Sequence, residues 1–85
     1  MATISAQQND DGHMTIEFPL ERDHVELHHL LKLTGVCNSG GAGKAMVASG
    51  AVTVDGVVEL RKTCKIHDGQ VVQAGDVVIR VAAVH

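Results

Sequence analysis

The sequence predicts an α+β fold, with two short helices packed on a small, mostly antiparallel sheet. Three observations carry this reading. Leu27, Leu30 and Leu31 recur at i, i+3 and i+4, which places them on one helical face. From Gly50 the period drops to two: Val52 and Val54 alternate before Asp55-Gly56, a dipeptide that favours two-residue hairpins. The remaining chain holds short Val- and Ile-rich segments separated by Gly- and Asp-containing turns, the mark of further strands.

Taken in order, residues 1–14 are polar and acidic with no sustained period and read as a flexible tail, leaving 15–85 as a single domain. Thr15–Phe18 fits a short edge strand closed by Pro19. Asp23 offers an N-cap with Glu26 completing a capping box, and Gly35 ends that first helix. A second helix starts at Ser39 as N-cap and stops at Gly50, with Ala42, Ala45 and Met46 as its apolar face. Gly40, Gly41 and Gly43 each cost this helix up to ~1 kcal/mol relative to alanine, so it depends on tertiary packing. Glycines there also let another backbone come close. Val57-Val58 begins the return strand of the hairpin. Lys65–Ile66, Gln70–Val72 and Val77–Val81 fit further strands, with turns at His67-Asp68-Gly69 and Ala74-Gly75-Asp76.

With 85 residues the chain makes one domain with a modest core and little material for a deep catalytic cleft. Phe18 is the sole aromatic residue. No apolar run approaches the ~20 residues of a membrane span. No basic stretch followed by an apolar block marks a signal peptide, so a cytoplasmic protein is expected. Cys37 and Cys64 are far apart in sequence and read as reduced thiols; a disulfide is unneeded.

The net charge of −3 argues on its face against a nucleic-acid ligand. Its distribution reverses that. Residues 1–31 carry six acids and one base, whereas residues 32–67 carry Lys32, Lys44, Arg61, Lys62 and Lys65 against Asp55 and Glu59. The cations therefore cluster with the Gly-rich helix start and the hairpin, and it is the local field that attracts a polyanion.

Catalytic constellations fail in turn. Gly43-Lys44 resembles part of a phosphate loop, but Asn38 stands where the first glycine is required and Ala45 where Ser or Thr would ligate magnesium. His24 and His28 are spaced as a metal half-site without partners, so solvent-facing histidines are the expectation. Ser39, Cys37 and Cys64 have no base and orienting acid in view. The expectation is a protein that is not an enzyme and needs neither metal nor cofactor. What remains is an anion site: Lys44, Arg61, Lys62 and Lys65 beside the N–H groups of a helix start, or a solvated, lysine-protected strand edge.

The run Val25–Val81, about two-thirds of the chain, resembles the alpha-L RNA-binding motif, the small domain named for the ribosomal S-four protein. The resemblance lies in Leu27, Leu30 and Leu31, then Ser39, Gly43 and Lys44, then Gly50, Val52, Val54, Asp55 and Gly56, and finally Gly75-Asp76 with the strand Val77–Val81. Leu30–Gly35, Ser39–Gly41 and Glu59–Lys62 are most similar to the stand-alone bacterial YbcJ-type members. Many members carry Arg early in the first helix and directly after the Ser; here Glu26 and Gly40 occupy those places.

The resemblance implies a non-catalytic RNA-binding module that recognises structured RNA, ribosomal or a precursor of ribosomal or transfer RNA, rather than DNA or a membrane. Lys44, Arg61, Lys62 and Lys65 would neutralise phosphates, with Lys32 peripheral. Ser39 and the N–H groups of Gly40 and Gly41 would seat one phosphate. Without Tyr or Trp, recognition rests on backbone and shape, not base stacking. The rival reading is a protein-interaction or assembly module that keeps the fold without strong RNA binding, and the acidic tail and Glu26 favour it.

Overall fold

The core forms where the apolar periods meet: Leu27, Leu30 and Leu31 of the first helix pack on the inward residues of a six-stranded sheet. In the computed structural model, which describes residues 5–8 and 14–84, the elements run β1 (Ser5–Gln8), β2 (Met14–Leu20), β3 (Val25–Glu26), α1 (Leu27–Leu33), α2 (Gly40–Ala48), β4 (Val52–Val54), β5 (Val57–Val58), β6 (Lys65–Ile66), β7 (Val71–Ala74) and β8 (Val77–Ala83). The main sheet has the order β1-β2-β8-β7-β4-β5, and β3 pairs with β6 in a separate two-stranded sheet. All pairings are antiparallel except β2 with β8. This is the expected α+β architecture. Ile16, Phe18 and Leu20 from β2, Val52 from β4, Val72 and Ala74 from β7, and Ile79 and Val81 from β8 face the helices and are buried.

Several elements differ from expectation. Ser5–Gln8, expected within a tail, pairs with β2 through Glu17 to Met14; the rest of that segment, apart from Met14, lies outside the described residues. The strand expected at Thr15–Phe18 extends from Met14 to Leu20 and is flanked by β1 and β8. Pro19 is tolerated inside it for a geometric reason. Met14 N–H donates to Asp76 and the Leu20 carbonyl accepts from Val84, so even-numbered residues direct their backbone groups toward the β8 side. The missing Pro19 N–H faces the other way, beyond the reach of β1.

Asp23 does not cap α1. The helix starts at Leu27, with Glu26 as an N-cap that makes no side-chain cap bond. The first N–H groups are taken instead by main chain: Leu27 donates to the Cys64 carbonyl at 2.9 Å and His28 to the Lys62 carbonyl at 3.0 Å. The pairing of Val25 with Ile66 and of Glu26 with Lys65 draws that segment in. A capping box became unnecessary because the turn preceding β6 supplied the acceptors. His24 consequently precedes the helix, so it forms no i, i+4 pair with His28.

Helix α2 follows the sequence more closely. Ser39 is its N-cap and accepts the Ala42 N–H at 3.1 Å. Gly50 lies beyond its end at φ +81°, the left-handed conformation glycine takes without a Cβ clash. Its apolar face is shifted, however: Gly43 and Val47 are buried, Ala42 and Met46 flank them, and Ala45 is exposed. The hairpin turns on Asp55 (φ +52°) and Gly56 (φ +85°), a type I′ geometry. The Asp55 carboxylate reaches across to β7, accepting the Val71 N–H at 3.0 Å and Gln70 Nε2 at 3.1 Å. The Val71 bond, then that from Gln70, holds this carboxyl below its usual range. Strand β7 runs Val71–Ala74, so Gln70 belongs to the preceding turn.

Candidate nucleic-acid interface

Residues Arg61–Cys64 form a β-turn closed by the Cys64 N–H on the Arg61 carbonyl at 3.1 Å, with Lys62 and Thr63 at its corners. The inward carbonyls of this turn and of Cys64 are occupied by the start of α1. Its side chains point the other way: Arg61, Lys62 and Thr63 are exposed, and so is Lys65 on β6. Main chain holds the turn, and these side chains are left in solvent.

His28 links this turn to α2. Its N–H is bound to Lys62, and its carbonyl lies against Gly43, where an added Cβ would sit 2.8 Å from the oxygen. A packing role for Gly43 follows, since a Cβ is not accommodated at that distance from fixed backbone. Lys44 comes next in sequence and is exposed. Lys44, Lys62 and Lys65 thus branch from backbone that converges on the first turn of α1. His28 itself is not solvent-facing: its side chain is 16% exposed, Nε2 lies 3.4 Å from Glu26 Oε1, and Nδ1 is buried without a partner. Its neighbour His29 is exposed.

The first turn of α2 is open. An added Cβ at Gly40 meets nothing within 4 Å, and one at Gly41 meets only Ser39 Oγ at 3.9 Å. The two first-turn N–H groups have no intrahelical acceptor and can be approached closely. Ser39 Oγ already accepts one N–H, yet its own proton remains available to donate. Lys32 is exposed in the last turn of α1, where a cation complements the helix dipole.

Arg61 is engaged in a way its sequence position did not reveal. Glu59 Oε2 accepts the Arg61 N–H at 3.0 Å and Nε at 3.2 Å, and Oε1 accepts Nη2 at 3.3 Å. The Arg61 hydrogen bonds hold the Glu59 carboxyl down to about 2 and raise the arginine. The only sequence signal was an acid two residues before the base. An open recess of about 370 Å³ is lined by Arg61, Thr63, Cys64 and Lys65. A larger groove of about 460 Å³, bordered by Phe18, Leu20, Arg22, His24, His29 and Leu33, contains none of the predicted cations.

Cys37 and Cys64 are free thiols. Burial raises the pKa of Cys37, while burial and then the Glu59 hydrogen bond raise that of Cys64, so neither has the character of an activated nucleophile. Among the described residues no group of three or more His, Cys, Asp or Glu is placed to hold a metal. No helix among them is long and apolar enough to cross a membrane.

Comparison with known proteins agrees with this architecture. The family described as S4 domain matches residues 18–82. Over 60 residues the chain is 50% identical to the Escherichia coli (strain K12) protein named "Putative RNA-binding protein YbcJ", covering 71% of this chain and 86% of that protein. A Shigella flexneri protein, "Uncharacterized protein YbcJ", matches with the same identity and coverage. The solution structure of YbcJ from E. coli superposes with a TM-score of 0.64 at 47% identity, covering 79% of this chain and 86% of that one. Its alfaL motif is described as involved in RNA binding.

Proposed function

Because this chain belongs to the S4 domain family, whose RNA-binding function it shares, we propose that it recognises structured RNA, ribosomal or precursor ribosomal or transfer RNA, as a non-catalytic cytoplasmic module. The observation that carries this reading is the division of labour at the 61–64 turn. Its carbonyls bind α1, so Arg61 and Lys62 can engage phosphates without disturbing the fold. Lys65 extends the same surface, Lys44 adds a charge from α2, and Ser39 with the Gly40 and Gly41 N–H groups offers a neutral seat for one phosphate. Lys32 lies at the margin.

Engagement of ~3–5 phosphates gives a log–log salt slope of roughly −2 to −4.5. Replacing Arg61 and Lys62 together by Ala should weaken binding to a ribosomal RNA stem–loop roughly ten- to hundredfold, with an unchanged circular dichroism spectrum. Unchanged affinity in that variant would remove the surface from consideration.

A second reading has its own observation. Val57, Val58 and Leu60 are 70%, 54% and 61% exposed beside the basic turn, exposed apolar side chains that suit a protein partner. A partner that stays bound after ribonuclease treatment supports this reading; one released by ribonuclease supports RNA.

A further inference from the structure

We propose that Glu59 is a positioning residue, which aims the Nη1/Nη2 fork of Arg61 at a single backbone phosphate seated beside Thr63 and Lys65. The inference rests on the RNA reading above. A guanidinium has five N–H donors and two forked edges. Glu59 occupies the side-on edge, Nε with Nη2, and with the same carboxylate fixes the Arg61 main-chain N–H. Backbone and side chain of Arg61 are therefore held by one group. The end-on edge, Nη1 with the second Nη2 proton, is left over, and the Arg61 side chain is 79% exposed while that of Glu59 is 19% exposed. The pair is thus lopsided, with its acid turned in and its base turned out.

The surroundings suit a phosphate. Arg61 lines the open recess with Thr63, Cys64 and Lys65, so the residues around the free fork include one that carries a hydroxyl and one that carries an ammonium. The turn carrying them is closed by its own hydrogen bond and tied to α1 by the Lys62 carbonyl. A long arginine side chain normally loses rotamer freedom on binding; here much of that loss precedes the ligand. Were Arg61 only a point charge, the adjacent carboxylate would oppose phosphate binding. The arrangement makes sense when the contact is directional, a bidentate bond that lysine cannot reproduce.

The test measures affinity of the full chain for a labelled ribosomal RNA stem–loop across a salt series. Arg61→Lys should lose as much as Arg61→Ala, roughly tenfold against the unmodified chain. Glu59→Ala gains net positive charge, yet should bind several-fold more weakly at physiological salt. Its log–log salt slope should steepen by ~0.7–0.9, because Arg61 is no longer internally neutralised. In the Arg61→Ala background, Glu59→Ala should cost nothing more, the signature of a residue acting through its partner. Tighter binding by Glu59→Ala at physiological salt, unmodified affinity in Arg61→Lys, or an equal Glu59→Ala loss in both backgrounds would each overturn the inference while leaving the RNA reading standing. Failure of the unmodified chain to bind would overturn both.

Discussion

Helix α1 begins against the main chain of the 61–64 segment, whereas α2 begins on the hydroxyl of its own Ser39. The first arrangement closes a helix end and welds a basic turn to it. The second leaves Gly40 and Gly41 uncovered, with space for a ligand to approach their N–H groups. One helix start is therefore closed against the basic turn, and the other is left open; the open one is the anion seat we propose. Both meet at His28, which gives its N–H to Lys62 and its carbonyl surface to Gly43.

The junction between the two helix starts is most sensitive at Gly43. Gly43→Ala places a methyl carbon 2.8 Å from the His28 carbonyl oxygen, and overpacking of this kind costs about 1–3 kcal/mol; urea unfolding should show a lower midpoint at constant m. Next in size is the contrast between caps. Ser39→Ala should cost about 1 kcal/mol through loss of the bond to Ala42, while Asp23→Ala should stay within about 0.5 kcal/mol, since α1 takes its acceptors from residues 62 and 64. Equal losses in the two variants would mean that Asp23 caps α1 after all.

Gly41→Ala tests the open end with the opposite sign. Added helix propensity in free space should stabilise the chain by up to about 1 kcal/mol, while the new methyl group beside the exposed N–H groups should weaken RNA binding. Thermal melting and RNA titration of the same variant should therefore move in opposite directions.

The smallest effect is spectroscopic. The Glu59 carboxyl is held down to about 2 from its ordinary 4.5. The pair's contribution is therefore fully present above the ordinary value and is lost progressively as pH falls from there through about 2. Carbon-detected NMR should show Glu59 still ionised near pH 3.5, with its midpoint moving upward in Arg61→Ala.

Local chemistry was legible and distant pairing was not. Ser39, Gly35, Gly50 and Asp55-Gly56 act within a few residues of themselves, so spacing alone located the helix ends and the hairpin. Asp23 and Glu26 satisfy the same local rule for a capping box. They lost because β6, almost forty positions on, pairs with Val25–Glu26 and presents its preceding carbonyls to α1. The parallel partnership of β2 with β8 is more distant still, which is why only Thr15–Phe18 was legible there, as a short edge strand. Ala45 looked apolar-facing from a glycine-rich helix that carries little periodic signal, and only packing on α1 decides that Gly43 and Val47 turn inward.

At the interface, the cations themselves were legible as a cluster. Their mode of presentation was not, because it depends on which way the turn faces. The Glu59–Arg61 fork shows the same limit on a shorter scale: an acid two residues before a base does not by itself say which way either side chain turns.

The proposed function is binding of structured RNA through its phosphates by the basic turn and the α2 start. Its most direct test titrates the full chain against ribosomal RNA stem–loops, single strands and duplex DNA over a salt series. Preference for the structured RNA is expected, with a log–log slope of roughly −2 to −4.5. Absence of binding at low salt, or affinity for structured RNA that does not change with salt, would contradict it.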